Sequence, residues 1–395
     1  MTTPSKSILF VHYRDITTPF GTTVPYYVSK TLADRYEVHV LCRTGAGEKE
    51  SEYPTETVQI HDLNTGNVPI LSSLLFWALS ILYASFLALL YRYDVVYVFQ
   101  MTLVQGLIAS RLGGSRFVVG LQSVPVRQSR DFAESHDADH SVRDRLAMIL
   151  GDVYATFVKL ALQRSSRVIC LTDGIRALTE AEYEITLPNA TVIGMGVAVD
   201  SFSTRLESND GPASPEPWTV TYVGSISRSR GLEHVFEAIA ESAYDIQLRI
   251  AGDGTDEYVT ELVEHVNALD IDDQVEWLGL VPHEDIPDIL ASSDMALSPL
   301  PDIESYRISF PAKIFEYMAA GAIAIASDIP PHRRFIDDGN TGFLYDGTQS
   351  GLRTTLERCI EDADRHPAIR RRARQTAEKY DWDSIVCRHE IAIFT

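Results

Sequence analysis

The sequence is short of positive charge, and of lysine above all. Its 395 residues contain 34 Lys and Arg against 55 Asp and Glu, a formal net charge of −21, and six of the cations are lysine. Nucleic-acid binding requires a basic surface that neutralises phosphates, so this composition argues against a nucleic-acid partner. An acidic, lysine-poor chain is typical of a cytoplasm with molar salt, where repulsion between acids is screened, or of an ordinary acidic enzyme. We take the first as the working expectation and leave the second open.

Cysteine and targeting signals are also scarce. The polar N-terminus leads directly into the apolar run Ile8–Val11, which predicts a first strand rather than a signal peptide. The four cysteines are far apart and show neither C-x-x-C nor zinc spacing, so we expect reduced thiols in a cytoplasmic protein. They are Cys42, Cys170, Cys359 and Cys387.

Common catalytic signatures are missing as well. The chain has no G-x-x-x-x-G-K-[ST], no G-x-S-x-G and no H-E-x-x-H, which argues against P-loop, serine-hydrolase and zincin chemistry. The turn at Gly252 to Gly254 lacks the third glycine of the dinucleotide fingerprint, which argues against a nicotinamide enzyme. His136 and His140 have i,i+4 spacing but lie in a long polar stretch, where an exposed loop is favoured over a metal site. We expect no metal.

What the chain does contain is a regular alternation of short apolar runs with helical patterns, which predicts βαβ units and parallel sheets. In the first half the predicted buried strands are Ile8–Val11, Val38–Leu41, Val95–Phe99, Phe117–Leu121 and Val168–Leu171. In the second half the predicted strands are 218–223, 246–251, 275–278, 294–298 and 322–326.

A stretch rich in helix and strand breakers separates these halves. Residues 208–217 read SNDGPASPEP, which predicts an interdomain linker at 203–217. We therefore expect an α/β protein with two doubly wound, Rossmann-like domains, 1–202 and 218–366, facing each other across a cleft. The helical, arginine-rich tail 367–395 is expected to pack back on the N-terminal domain.

The turn after strand 218–223 has the composition of a phosphate site. It reads GSISRSRG, from Gly224 to Gly231, and precedes a predicted helix. Free backbone N–H groups and the positive helix end favour an anion there, and Arg228 and Arg230 supply charge for a diphosphate. The alternative is a solvated turn with surface arginines.

A second constellation is the segment SFPAKIFEYMAAG, from Ser309 to Gly321. Lys313 and Glu316 are three residues apart, which places them on one helix face near its N-terminus. Lysine there can bind a phosphate, while the carboxylate can accept hydrogen bonds from two ribose hydroxyls. The alternative is an ordinary surface ion pair, which the apolar surroundings of the two charges disfavour.

The order of these segments resembles that of GT-B-fold glycosyltransferases of the large retaining family 4. The resemblance is continuous from about 218 to 347, through GSISRSRGLEHVFEAI, LRIAGDGTDEYVTEL, VEWLGLVPHEDIPDILASSDMALSPL and SFPAKIFEYMAAGAIAIASDIP. In the first half it rests more loosely on Gly21 after strand one, on YRYDVVYV at 91–98 and on VIGMGVAVDSF at 192–202.

This resemblance implies transfer of a sugar from a nucleotide diphosphate sugar, with retention of configuration, no cofactor and no required metal. Glu316 matches the family's ribose-binding glutamate, and Arg230 stands where a diphosphate-binding lysine is usual. Arg230, Lys313 and Glu316 are the implied catalytic residues. The implied substrate-binding set comprises Gly21, Gly224, Ser225, Arg228, Arg230, Gly252, Lys313 and Glu316.

Two positions depart from the family pattern. Ser225 stands where an arginine often follows the first glycine, so we expect Arg228 to substitute for it. Ile308 stands where the first acid of the family's E-x7-E pair would fall, and Lys313 in a P-x-K-x-x-E-Y-M arrangement resembles a subgroup variant instead. The missing acid leaves open how the donor sugar is held.

Residues 68–91 form an apolar segment of 24 residues without charge. Its length allows a transmembrane helix, but spanning would put strands of one sheet on opposite sides of a bilayer. We expect a crossover helix on the membrane surface, with Leu75, Phe76 and Leu82 exposed. A helix buried within the protein or a dimer, and a true span, remain alternatives.

The sequence thus predicts a glycosyltransferase peripheral to the cytoplasmic face of the cell membrane, acting on a lipid-linked or other glycan acceptor. Two other classes stay open: a nucleotide-sugar epimerase on the same fold, and a non-catalytic relative acting as a partner subunit. The first would convert donor without acceptor, and the second would bind nucleotide without transfer.

Overall fold

The structure is a computed structural model, and it describes residues 6–17, 23–43, 53–65, 71–125, 142–202 and 217–395. The chain divides into two compact units, Met1–Met195 with Asp383–Thr395, and Gly196–Trp382. Each unit is built on one parallel sheet with helices between its strands. The prediction of an α/β protein with two doubly wound domains is confirmed.

The first unit contains a seven-stranded sheet of order β3-β2-β1-β4-β5-β6-β7 with every pairing parallel. The strands are β1 (Ser7–Val11), β2 (Glu37–Cys42), β3 (Val58–Asp62), β4 (Val95–Phe99), β5 (Arg116–Leu121), β6 (Arg167–Cys170) and β7 (Ala190–Val192). The helices are α1 (Thr23–Leu32), α2 (Leu71–Tyr91), α3 (Leu103–Gly113), α4 (Val142–Arg164) and α5 (Asp173–Glu182).

The second unit contains a six-stranded sheet of order β10-β9-β8-β11-β12-β13, again parallel throughout. The strands are β8 (Trp218–Val223), β9 (Ile246–Ala251), β10 (Val275–Gly279), β11 (Met295–Ser298), β12 (Ile323–Ser327) and β13 (Phe343–Tyr345). The helices are α6 (Leu232–Ala240), α7 (Asp256–Ala268), α8 (Ile286–Ala291), α9 (Glu304–Arg307), α10 (Ala312–Ala320), α11 (Pro330–Arg333), α12 (Gln349–Glu361) and α13 (His366–Glu378).

Every predicted strand is present to within two residues at each end, and the strands that sequence reasoning missed are edge strands or short ones. β3, β7 and β13 are the additions. In β3 the one buried residue is Val58, and the strand carries Gln59 and His61, while β7 and β13 have three residues each. An edge strand buries little, so it lacks the continuous apolar run by which central strands are recognised.

The boundary between the units differs from the predicted one. The first unit ends at Met195 rather than 202, and of the predicted tail the part that joins it is Asp383–Thr395, within helix α14 (Trp382–Phe394). Residues 196–202 belong to the second unit because the Val197 N–H donates to the Tyr380 carbonyl at 2.9 Å and Gly196 packs against the Trp382 ring. The predicted linker 203–217 lies, apart from residue 217, outside the described residues.

Helix α2 is the crossover between β3 and β4, as the apolar segment predicts. One face of it is buried and includes Phe76, Ala84 and Leu87. The expectation that Phe76 is exposed is therefore wrong, because its ring is fully buried and meets the Tyr13 ring edge-on at a centroid distance of 5.3 Å. In the part of the chain that the structure describes, no helix combines the length and the apolarity needed to cross a membrane.

The other face of α2 forms an exposed stripe of large apolar side chains. We call it the apolar stripe, and it consists of Leu75, Leu79, Leu82, Phe86, Leu89 and Leu90. Steps of three and four residues place these side chains on one side of the helix. Each is at least 41% exposed, so the stripe is an apolar surface that no other described residue of the chain covers.

Candidate active site

Two glycine turns interlock at the carboxyl edge of the second sheet. Gly224 follows β8 and Gly252 follows β9. The Gly224 N–H donates to the Ala251 carbonyl and the Ile226 N–H to the Asp253 carbonyl, each at 2.8 Å. A Cβ on Gly252 would overlap the Gly224 carbonyl, and a Cβ on Gly224, at φ +143°, would overlap the Lys313 ammonium. Both positions therefore require glycine, and Gly224 leaves the space that Lys313 occupies.

Lys313 lies at the second position of α10 and directs its ammonium toward the Gly224 turn. Its Nζ lies over the Tyr222 ring at 4.8 Å from the centroid. Burial, and after it the charge of the nearby Arg230 guanidinium, lower the pKa of Lys313 to about 7, while Glu316 opposes the change. Among the described residues Lys313 forms no hydrogen bond or ion pair. No residue that the structure describes is therefore paired directly with its charge.

Arg230 brings a second cation to the same place. It ends the short turn Arg228–Arg230 that opens α6, and its guanidinium lies over the Tyr306 ring at 5.3 Å. Its Nε is buried and has no hydrogen-bond partner among the described residues. Two cations that repel each other and lack an acid partner form a site that an anion would stabilise.

Glu316 lies one turn after Lys313 on α10. Burial raises the pKa of its carboxyl group, against the opposing effects of His283 and Lys313. Within the described residues its carboxylate accepts no hydrogen bond and pairs with no cation within 4.0 Å. The alternative of an exposed Lys313–Glu316 ion pair therefore does not describe this helix, and the carboxylate is available to a ligand.

The other predicted site residues are placed differently. Arg228 donates to the Glu261 carboxylate at 2.7 Å and lies over the Tyr258 ring, with two-thirds of its side chain exposed. It thus has an acid partner of its own. Ser225 is exposed, and its carbonyl accepts a hydrogen bond from the Tyr222 hydroxyl at 2.8 Å. Gly21, His136 and His140 lie outside the described residues. No group of three His, Cys, Asp or Glu side chains suited to a metal occurs in the described ranges.

Sequence reasoning missed two tyrosines that surround the cations. Tyr222 on β8 underlies the Lys313 ammonium. Tyr306 on α9 covers the Arg230 guanidinium, and its hydroxyl lies 3.0 Å from the Ser229 hydroxyl. α9 is fixed by a two-pronged ion pair in which Arg307 donates to Asp302 at 2.6 and 2.7 Å. The alternation of side chains along β8 could have identified Tyr222, but no local pattern identifies Tyr306.

We expect binding of a nucleoside diphosphate to weaken as the pH rises above 7. The ammonium of Lys313 loses its proton near pH 7 in the free protein, so the positive charge available to a diphosphate decreases from pH 7 to pH 9. Isothermal titration over that range measures the effect. In Lys313→Arg the charge persists at every pH, and the dissociation constant should then be nearly constant; an equally flat profile for the wild type would contradict the assignment.

The family models match the two halves of the chain in turn. Residues 21–201 match the model described as Glycosyltransferase Family 4, and residues 204–379 match the model described as Glycosyl transferases group 1. The fold of the whole chain is similar to that of Anabaena HepE, crystallised with UDP and glucose, at a TM-score of 0.70 and 20% identity over 98% of each chain. It is also similar to that of WaaG, a glycosyltransferase involved in lipopolysaccharide biosynthesis, at a TM-score of 0.68 and 16% identity over 98% of this chain and 99% of that one.

The chain has the GT-B fold, and each of its halves matches a glycosyltransferase family model. Among curated proteins it is 27% identical over 228 residues to alpha-D-kanosaminyltransferase of Streptomyces kanamyceticus, covering 55% of this chain and 56% of that protein. It is 28% identical over 210 residues to phosphatidyl-myo-inositol mannosyltransferase of Mycobacterium leprae, covering 50% and 51%. The chain therefore spans about half the length of the curated relatives it matches. In this GT-B protein the unpaired Lys313, Arg230 and Glu316 all lie in the domain matched by the group 1 model.

Proposed function

We propose that this GT-B protein is a retaining glycosyltransferase that moves a sugar from a nucleotide diphosphate sugar to a lipid-linked or other glycan acceptor. The observation that carries the proposal is the pair of cations, Arg230 and Lys313, which repel each other and have no acid partner among the described residues. A diphosphate supplies the missing negative charge. Glu316 on the same helix supplies an acceptor for ribose hydroxyls.

The residues support a reaction in which the leaving group carries most of the new charge. The bond between the anomeric carbon and the diphosphate oxygen breaks, and the nucleoside diphosphate leaves with the electron pair. The acceptor hydroxyl oxygen bonds to the anomeric carbon on the same face, and its proton passes to a departing phosphate oxygen. Arg230, protonated Lys313 and the N-terminus of α10 stabilise the developing negative charge, so we propose that no metal is needed.

The transfer assay that tests this proposal uses purified protein, a panel of nucleotide sugars and a lipid extract, with each donor also incubated alone. We expect one donor to release nucleoside diphosphate in proportion to the glycosylated product that forms. Conversion of a donor to its epimer without acceptor would favour an epimerase. Nucleotide binding without transfer to any acceptor would favour a non-catalytic partner subunit.

We also propose that residues 68–91 attach the protein to the cytoplasmic face of the cell membrane without crossing it. The support is the apolar stripe, in which Leu82 is 69% and Phe86 56% exposed. Burying each such side chain in the acyl boundary is worth roughly 1.5–3 kcal/mol before entropy and polar costs are subtracted. Four or more of them suffice for reversible attachment, and a membrane-bound enzyme would meet a lipid-linked acceptor there.

The double variant Leu82→Gln, Phe86→Gln should move the protein from liposomes to the soluble fraction in a flotation assay. Polar side chains at these positions remove the apolar area that the bilayer would bury. Ile391→Gln is the matched control, because Ile391 is 58% exposed on α14 and lies outside the stripe. The attachment proposal is wrong if the wild type stays soluble with liposomes present. It is also wrong if the double variant floats with liposomes to the same extent as the Ile391→Gln control.

A further inference from the structure

Five arginines lie at the amino edge of the first sheet, where helices end and strands begin. Arg92 lies between α2 and β4, Arg111 and Arg116 flank the turn from α3 to β5, and Arg164 and Arg167 flank the turn from α4 to β6. We call this group the arginine rim. Because the carboxyl ends of parallel strands lie at the opposite edge of the sheet, the rim is separate from the edge at which ligands of such folds bind.

None of the five rim arginines forms an ion pair with another described residue. They differ in this from many arginines elsewhere in the described residues of this chain of 55 acids and 34 bases, which have acid partners within 4.0 Å. Those pairs include Arg35–Glu390, Arg228–Glu261, Arg249–Glu276, Arg307–Asp302, Arg333–Asp328 and Arg358–Asp338. The rim therefore places five arginines without described ion pairs at one edge of the first sheet, which also carries Asp94, whose carboxylate accepts a hydrogen bond from the Ser7 N–H at 2.8 Å.

Helix dipoles account for the positions of two rim arginines but not for those of the two that begin strands. Arg111 lies in the last turn of α3 and Arg164 in the last turn of α4, where a cation is favourable. Arg116 and Arg167 instead begin neighbouring strands. The register pairs Val118 with Arg167, so Arg116 and Arg167 lie on the same face of the sheet.

Arg116 and Arg167 repel each other, and each has a buried Nε–H group without a described hydrogen-bond acceptor. Burial and the Arg167 guanidinium both lower the pKa of Arg116. The Nε atoms of both residues are buried without a hydrogen-bond partner among the described residues, and so is the Ser115 hydroxyl beside them. Two adjacent cations and a hydroxyl donor without partners are the groups that a phosphate oxygen would engage.

The arginine rim is continuous with the apolar stripe. The last turn of α3 lies directly against the end of α2, because a Cβ on Gly113 would approach the Ala88 carbonyl to 2.8 Å. The Arg92 N–H donates to the same carbonyl at 3.0 Å. Leu112, next to Arg111 in this last turn of α3, is a further apolar side chain on the surface and is 52% exposed.

From this juxtaposition we infer that the apolar stripe and the arginine rim form one docking surface for a bilayer of anionic phospholipid, with the rim binding lipid phosphates. Where salt does not screen the charge, a chain of net charge −21 is repelled by an anionic bilayer, and local positive charge beside the apolar side chains opposes that repulsion. The inference rests on the membrane attachment proposed above, and it is independent of the transfer chemistry.

The test compares binding of the full chain to vesicles of phosphatidylcholine alone with binding to vesicles containing one-third phosphatidylglycerol. We expect the wild type to prefer the anionic vesicles. The double variant Arg116→Gln, Arg167→Gln should lose roughly 30-fold in affinity for them, at about five-fold per arginine, and should bind phosphatidylcholine as the wild type does. The loss should diminish in high salt. Arg353→Gln, which removes an arginine already paired with Glu241, is the matched control.

Three results would overturn the inference. The first is equal affinity of the wild type for both kinds of vesicle, which would leave apolar attachment alone. The second is unchanged binding of the rim variant to anionic vesicles. The third is release of the wild type by inorganic phosphate together with thermal stabilisation by phosphate without vesicles, which would mark a site for a free anion. Circular dichroism and the thermal shift with nucleoside diphosphate establish that each variant is folded, and the latter tests the transfer proposal separately.

Discussion

Replacing either Arg230 or Lys313 by alanine should lower kcat by roughly 10²-fold or more, because a preorganised cation at the leaving group contributes about 3 kcal/mol to transition-state stabilisation. The same activity should persist in excess EDTA, since on this account the two side chains and a helix N-terminus take the place of a metal. Initial rates with saturating donor, with and without chelator, measure both effects. Loss of activity in EDTA that Mn²⁺ or Mg²⁺ restores would contradict the account.

Removing the charge of Lys313 should not lower the stability of the ligand-free protein. Lys313 is buried near the cation Arg230, and it has no acid partner among the described residues. Electrostatic repulsion and desolvation of its charge therefore destabilise the ligand-free protein. Lys313→Met retains the side-chain length and removes the charge. Its melting temperature without ligand should therefore equal or exceed that of the wild type, while its activity is lost. A strongly lowered melting temperature would indicate that Lys313 has a structural role instead.

Glu316→Ala should weaken donor binding by roughly 1.5–3 kcal/mol, the range for hydrogen bonds to a charged group, which corresponds to about a 10- to 150-fold increase in the dissociation constant. The loss follows if the carboxylate accepts hydrogen bonds from the ribose hydroxyls. Titration with nucleoside diphosphate measures the effect directly. Because the carboxylate accepts no hydrogen bond from another described residue, the fold should tolerate the change.

Glu264→Ala supplies the control for this measurement, since Glu264 is an exposed residue of α7. Glu316→Gln separates charge from shape, because an amide oxygen still accepts a hydrogen bond but carries no charge. We expect its affinity to lie between those of the wild type and Glu316→Ala. If Glu316→Ala binds the nucleoside diphosphate with the same dissociation constant as the wild type, Glu316 does not bind the ribose.

The central strands could be predicted from sequence because each is buried on both faces and reads as a continuous apolar run. The segment Val95–Phe99 is fully buried, and its predicted bounds are the observed ones. β3 could not be predicted in the same way, because Val58 is the one buried residue of this edge strand and Gln59 and His61 interrupt its apolar pattern. The prediction that Phe76 is exposed failed for a different reason. A helix that is apolar all round carries no charged face, so its sequence does not indicate which face packs against the protein.

In the candidate site, positions fixed by local geometry were predictable and positions fixed by distant partners were not. Lys313 and Glu316 share a face of α10 by their spacing, and Gly224 ends β8 in a turn that only glycine permits. The guanidinium of Arg228, in contrast, is held by Glu261, 33 residues later in the chain, and Tyr306 reaches Ser229 across 77 residues. Such pairings depend on how α7 and α9 pack, which no short segment encodes.

We propose that Arg230, Lys313 and Glu316, unpaired among the described residues, form a metal-independent site for the nucleoside diphosphate of the donor. A thermal-shift panel tests it most directly, with UDP, GDP, ADP and dTDP titrated in excess EDTA against the wild type, Lys313→Met and Glu316→Ala, and with salt held constant. The account predicts that one nucleotide raises the melting temperature of the wild type progressively with the logarithm of its concentration and that both variants lose most of the shift. No shift with any nucleotide, or equal shifts in the wild type and both variants, would contradict it.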